Sequence, residues 1–279
     1  ITIEYGDSAG DYDKIETVVY GGETYTYNWK HHYFHSSTET DISKFANITV
    51  GGVGLYGTDY RIAYAKTDDN GKVTTEGATA SDYNIKWDGT TLTLKDAKII
   101  VDNPQNPQSY GIEYSGTSAI TIQLEGVNTV TGYRGIETSA AVTISGGTLD
   151  VNGVVSHAIY AGGNIEISDA TVNAKGTGDS SDGINTNGGD IIINSGKVTV
   201  ECKDDGLHTF SGNVSINGGD VSVDSGRYGV YAGFSKSLTI RGGTVTIDTD
   251  TKLIYVTDNN RTVTIAPQDG AEITVKAGD

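Results

Sequence analysis

The fold class predicted for this chain is all-β, a right-handed parallel β-helix. Three observations predict it: a glycine-rich composition, short alternating aliphatic pairs, and a repeat of twenty-odd residues. The 279 residues include 38 Gly, 17 Tyr and only 4 Phe, with no Met. Runs of Ala, Leu, Glu, Lys and Arg that would favour helices are almost missing. Aliphatics come as V-x-V or I-x-I pairs set off by Gly, Asn, Asp and Ser, a period of two and not 3.6.

The repeat is clearest in one column of pairs: Val142-Ile144, Ile165-Ile167, Ile191-Ile193, Val214-Ile216 and Leu238-Ile240. The second members step by 23, 26, 23 and 24 residues. Leu92-Leu94, Ile120-Ile122 and Val263-Ile265 extend the column in both directions. A second column follows a Gly-rich corner: Leu149-Val151, Val172-Ala174, Val198-Val200, Val221-Val223 and Val245-Ile247. A third runs Ile112, Ile136, Ile159, Ile184, Leu207, Val230 and Ile254. Each repeat therefore supplies three short strands and three corners. Strands this short are stable only when stacked on copies of themselves. About eight coils at about 4.8 Å per rung give a rod of roughly 40 Å. Right-handedness is expected because parallel crossovers almost always take that hand.

Residues 1–80 stay out of this register. Alternation in Thr17-Val18-Val19-Tyr20, Thr24-Tyr25-Thr26-Tyr27 and Ile48-Thr49-Val50 predicts strands. We read this segment as an N-terminal β cap or small β module covering the open end of a solenoid that occupies residues 81–279. His31, His32 and His35 are either a metal-binding loop or a polar loop among aromatics.

Net charge is -17, which disfavours nucleic acid and anionic lipid as partners. No apolar run reaches the roughly 18 residues of a membrane span. No signal-peptide pattern opens the sequence, so an exported protein would be read here in trimmed form. The single cysteine, Cys202, excludes an internal disulfide and is expected to be a small, inert strand-end thiol.

Chemistry concentrates beside the third column. "SDGINTNGGDIIINSGKVTVECKDDGLHT", residues 181–209, carries nearly the same phrase at both ends. The position before its Gly runs Tyr110, Arg134, His157, Asp182, Asp205 and Tyr228. Two places after it stand Glu113, Glu137, Tyr160, Asn185, His208 and Tyr231, a column expected to face outward. Asp182, Asn185, Asp204, Asp205 and His208 thus share one side of adjacent coils. Stacked carboxylates repel unless a cation lies between them, and an oxygen-rich cluster suits Ca²⁺, so Asp182, Asp204 and Asp205 are the candidate metal ligands. The alternative is that Asp-Gly is here a turn dipeptide and nothing more.

The stretches "KDDGLHTFSGNVSINGGDVSVDSGRYGVYAG" and "SDGINTNGGDIIINSG" resemble the calcium-binding parallel β-helix carbohydrate-binding domains of surface proteins from gut and cellulolytic Gram-positive bacteria. The resemblance covers roughly residues 110–250. It implies a pectate-lyase-like shape, binding of acidic plant polysaccharide with calcium, and no catalysis. Asp204-Asp205-Gly206-Leu207-His208 fits the family phrase, whereas Ser181-Asp182-Gly183 lacks the first Asp. Ser156-His157-Ala158 and Arg227-Tyr228-Gly229 have lost the carboxylates, so the resemblance implies one or two calcium sites.

Tyr rings stack on sugar faces while their hydroxyls stay wet. Tyr160, Asn185, His208, Tyr228 and Tyr231 are therefore the candidate carbohydrate-binding residues. The expected function is that of an extracellular, cell-surface, non-catalytic protein binding a polysaccharide or glycan, or an adhesin holding a host or cell-wall surface. A lyase or hydrolase is the enzymatic alternative. Arg134 and Arg227 are its available bases but stand four coils apart, and Glu113 and Glu137 lie side by side where a hydrolase needs opposed carboxylates. A rigid adhesin stalk is the structural alternative.

Overall fold

The computed structural model describes residues 2–5, 15–20, 23–28, 33–36, 47–55, 62–233, 237–256 and 262–266. The His31-His32 pair of the candidate metal loop lies outside them. Among the described residues every regular element is a strand, and no helix is long and apolar enough to cross a membrane.

The chain winds as a parallel β-helix with three faces. On the first, Thr91–Lys95 is followed in register by the first halves of Ile120–Gly132 and Val142–Gly153, then by Ile165–Ser168, Ile191–Ile193, Val214–Ile216, Ser237–Ile240 and Thr262–Ile265. Ile193 pairs with Ile216 and Ile216 with Ile240, as the repeat requires. The second face stacks the later halves of those long strands with Ala170–Gly176, Gly196–Cys202, Asp220–Ser225 and Thr244–Thr249. The two long strands run through the corner between these faces, which joins both into one 16-stranded sheet.

The third face carries Ile112–Tyr114, Ile136–Thr138, Ile159–Ala161, Ile184–Thr186, Leu207–Thr209, Tyr228–Ala232 and Lys252–Val256. Six successive parallel pairings link these seven strands. The solenoid therefore has about six complete turns. The count of about eight coils from the first column is too high because Thr91–Lys95 and Thr262–Ile265 belong to partial turns at the two ends.

Antiparallel strands close the N-terminal end. Ile48–Val50 pairs with Ile112–Tyr114, and Ile85–Trp87 pairs with Thr91–Lys95 while Ala63–Thr67 pairs with Ile85–Trp87. Reversing direction there lets the edge of the first coil be hydrogen-bonded without extending the repeat. Trp87 and Tyr114, both buried, meet at 5.8 Å between ring centres. Further upstream, Thr2–Tyr5, Ile15–Tyr20, Glu23–Asn28 and Tyr33–Ser36 form a separate four-stranded antiparallel sheet.

Aliphatic ladders fill the interior. Ile144, Ile167, Ile193, Ile216 and Ile240 are fully buried, as are Val172, Val198, Val221 and Val245. Each such side chain contributes about 1.5 to 3 kcal/mol by leaving water. The Thr that ends the Asp-Gly phrase is part of this core. The Thr186 and Thr209 hydroxyls donate to Gly163 O and Gly189 O of the preceding coil (2.7 and 2.8 Å) and accept from the N–H of Gly189 and Gly212.

Glycine serves two different corners in two different ways. At the corner between the first and second faces, Gly219 and Gly243 adopt φ of +90° and +87°, which side chains resist. The glycine of the Asp-Gly phrase is needed for space instead: a Cβ on Gly206 would lie 2.1 Å from Val223 Cγ1 and 2.5 Å from Gly229 O. Gly206→Ala should therefore cost about 1 to 3 kcal/mol through overpacking. Urea denaturation followed by far-ultraviolet dichroism would measure it, and an unchanged midpoint would contradict this packing.

Candidate functional site

The outward positions of the third face form one continuous file. Glu113, Glu137, Tyr160, Asn185, His208, Tyr231 and Tyr255 are partners in consecutive pairings, so each sits directly over the next. Beside it runs the file before the glycine, including His157, Asp182, Asp205 and Tyr228. Together they make a strip with an acidic centre and an aromatic group on either side.

The centre is buried, contrary to an open acidic surface. Asp182 is 2% exposed, Asp205 0% and Asn185 8%. Asp182 Oδ1 accepts the backbone N–H of Asp205 at 2.9 Å, and Oδ2 accepts from the Asn185 amide. His208 Nδ1 lies 3.1 Å from Oδ2 of both Asp182 and Asp205. It straddles the two carboxylates, in the direct hydrogen-bond line of neither. His157 Nδ1 is 3.4 Å from Asp182 Oδ2 and accepts the Asp182 backbone N–H at 3.1 Å. Arg227, one coil further on, grips Asp205 with both prongs: Nε to Oδ1 at 2.8 Å and an Nη to Oδ2 at 2.6 Å. Its Nε also lies 2.7 Å from Asp204 Oδ1.

These contacts set the protonation states. Burial would pull His208 down, but the carboxylates of Asp182 and Asp205 overcome it and raise the imidazole to about 9. Burial also dominates at His157 and lowers it to about 4 despite Asp182. Burial works to raise Asp182, yet His208, His157 and Asn185 together hold its carboxyl below the usual range. Asp204 is pushed up by its own burial and by Asp205 and Asp182. Cys202, buried beneath the cluster and near Asp182, has its thiol pushed up to about 12, which makes it unreactive as expected.

The donor set does not fit calcium. The close group is Asp182, Asp205 and His208, with ligand atoms within 4.8 Å of one another. It offers two carboxylates and a nitrogen, whereas Ca²⁺ takes six to eight oxygens. All four carboxylate oxygens already accept a hydrogen bond from Arg227, Asn185 or the Asp205 amide. Asp204 points to Arg227 and stays apart from that group.

Towards the C-terminal end, Tyr228, Tyr231 and Tyr255 form an aromatic cluster. Tyr228 and Tyr255 stack at 4.6 Å with their planes 7° apart, and Tyr231 lies 5.4 Å from Tyr255. His208 packs on Tyr231 at 4.4 Å. Arg227 and Lys252 sit over the Tyr228 and Tyr255 rings at 4.9 and 5.1 Å. Towards the N-terminal end, Tyr160 stacks with His157 at 5.9 Å and is covered by Arg134 at 4.4 Å. Arg134 also pairs with Glu137. Burial raises both Glu113 and Glu137, with Glu137 adding to the shift of Glu113 and Arg134 opposing that of Glu137.

The structure thus gathers the third-face candidates for metal and carbohydrate on one strip but divides their work. Asp182, Asn185, Asp205 and His208 form the buried centre, Asp204 flanks it, and Tyr160 lies on one side with Tyr228 and Tyr231 on the other. Tyr255 escaped sequence reasoning. Its coil has Leu253 where the phrase has Gly, although Ile254 already belonged to the third column and marks the next residue as outward.

The two histidines give opposite pH dependences. Folding raises His208, so its contribution is complete below pH 6.5 and is lost as pH rises through about 9. Folding lowers His157, so the unfolded chain takes up the extra proton first and stability falls as pH drops from 6.5 towards about 4. Melting temperature against pH should therefore fall on both sides of neutrality. His208→Gln should flatten the alkaline limb and His157→Gln the acid limb; a profile that either variant leaves unaltered would refute that assignment.

Neither a curated protein nor a solved structure matches the chain. A family model described as "Carbohydrate-binding domain-containing protein" matches residues 46–279, which is most of the chain and all of the solenoid. The chain belongs to this family of carbohydrate-binding domain-containing proteins.

Proposed function

We propose that the third face is the carbohydrate-binding surface, and that the protein works outside the cell, holding polysaccharide or surface glycan without cleaving it. The observation that carries this reading is the in-register file from Tyr160 to Tyr255, with aromatic rings at both ends of a polar centre. Tyr228, Tyr231 and Tyr255 are half-buried, so their edges are fixed by packing while part of each ring remains available to a sugar. Rigid, partly wetted rings are efficient sugar platforms because little freedom is lost on binding. His208 supplies a polar group between the aromatic clusters, with the nearly buried Asn185 behind it, and Arg134, Arg227 and Lys252 line the edge.

Binding without cleavage accords with the arrangement of acids. Glu113 and Glu137 are direct neighbours on one face, so they do not straddle a glycosidic bond as a hydrolase pair does. Arg134 is committed to Glu137 and Tyr160, and Arg227 to Asp204 and Asp205. Neither is a free base of the sort a lyase needs. In this reading glycan capture does not depend on calcium.

A glycan array would identify the ligand, and calorimetry on the best binder would locate it. Tyr231→Ala and Tyr255→Ala should each weaken binding about tenfold, the loss of one stacked ring. Glu201→Ala, on the second face, should leave affinity unchanged. An array with no binder, or a ligand insensitive to both Tyr substitutions, would move the function off this face and favour a spacer role.

A further inference from the structure

The buried acidic centre poses a charge problem that the chain solves itself. Asp182, Asp204 and Asp205 lie on neighbouring coils, and two of them are almost wholly removed from water. Carboxylates so placed need a cation, since an uncompensated buried charge is strongly destabilising. Every oxygen of Asp182 and Asp205 has a partner from within the chain, and the principal cation among them is a guanidinium. Arg227 meets Asp205 in the bidentate fork geometry that fits a carboxylate best, and it also reaches Asp204. The position it comes from is telling. Arg227-Tyr228-Gly229 is the next copy of Asp204-Asp205-Gly206, so the repeat places an arginine where the preceding coil has a carboxylate. His208 adds a second internal partner, 3.1 Å from each buried carboxylate.

We propose that Arg227, assisted by His208, is a built-in counter-cation that makes this acidic centre independent of bound metal. A single arginine, present in one coil only, thus does the work of a divalent ion. Removing it should leave a cavity edged by Asp204 and Asp205 carboxylates, with Asp182 next to them, and that vacated site is the one to which calcium would be drawn.

Thermal melts of the full chain, in chelator and in millimolar calcium chloride, test this without any glycan. The parent should melt at the same temperature in both. Arg227→Ala should melt about 5 °C or more lower in chelator and recover part of the difference in calcium. A parent that is stabilised by calcium, or an Arg227→Ala variant that is indifferent to it, would overturn the proposal. If Arg227→Ala does not fold in chelator, refolding in calcium decides: recovery supports the proposal and failure counts against it. The double variant Asp205→Asn/Arg227→Gln removes both charges of the fork and should fold with the same melting temperature in either buffer. A calcium response restored in that double variant would also overturn it.

Discussion

Everything in this molecule depends on coils lying over one another in register at one strand spacing. Each inward aliphatic touches its counterpart one turn before and one turn after, as Ile193, Ile216 and Ile240 do. A change at one position is therefore felt by two neighbours, and a slip of one residue would exchange core for surface along a whole strand. The same constraint governs the backbone. The threonine hydroxyls that close the third face bond back to the previous coil, so the corners, like the strands, are held by the turn before them. Stability then accumulates through nearest-neighbour contacts, and the ends need different solutions from the middle. At the N-terminal end the solution is visible in the antiparallel strands that cover the first coil.

Register also turns a linear sequence into a surface. Residues about two dozen apart become a file of side chains, and on the third face that file holds both the tyrosines and the acids. No single phrase of the sequence contains the site. It exists only because Tyr160, Asn185, His208, Tyr231 and Tyr255 are brought to the same position of successive turns. On the proposed reading a ligand here would be offered a rigid, repeating platform, and its affinity would depend on rings whose spacing is set by the backbone.

Much of this was legible beforehand because period-two alternation and a fixed repeat length are properties of sequence alone. The three columns of aliphatics name the three faces, and Val198, Val221 and Val245 are buried where the columns put them. What alternation does not reveal is how far a long side chain reaches. Asn185 occupies an outward position, yet it is nearly buried because the file is crowded and its amide turns to Asp182. Arg227 belongs to one coil and grips Asp205 of the coil before it, a diagonal contact that no column records. Glycine roles were only partly readable for the same reason. Positive φ explains Gly219 and Gly243, whereas Gly206 is required by a methyl group of Val223 that becomes its neighbour only in three dimensions.

Stacking has an electrostatic cost, and the chain meets it differently inside and out. On the second face Glu201, Asp224 and Asp248 are also in register, one above another, and all three are exposed. Water and salt screen such a ladder, so it contributes to a net charge of -17 at little expense. The same repetition at Asp182 and Asp205 is shielded from solvent, where screening fails and every carboxylate must be matched by a fixed partner. A repeat that copies an acid into a buried position therefore has to change something in an adjacent copy. Here the change falls at Arg227, and the loss of the repeated carboxylate in that coil is the condition under which the carboxylates of the coil before it can stay buried.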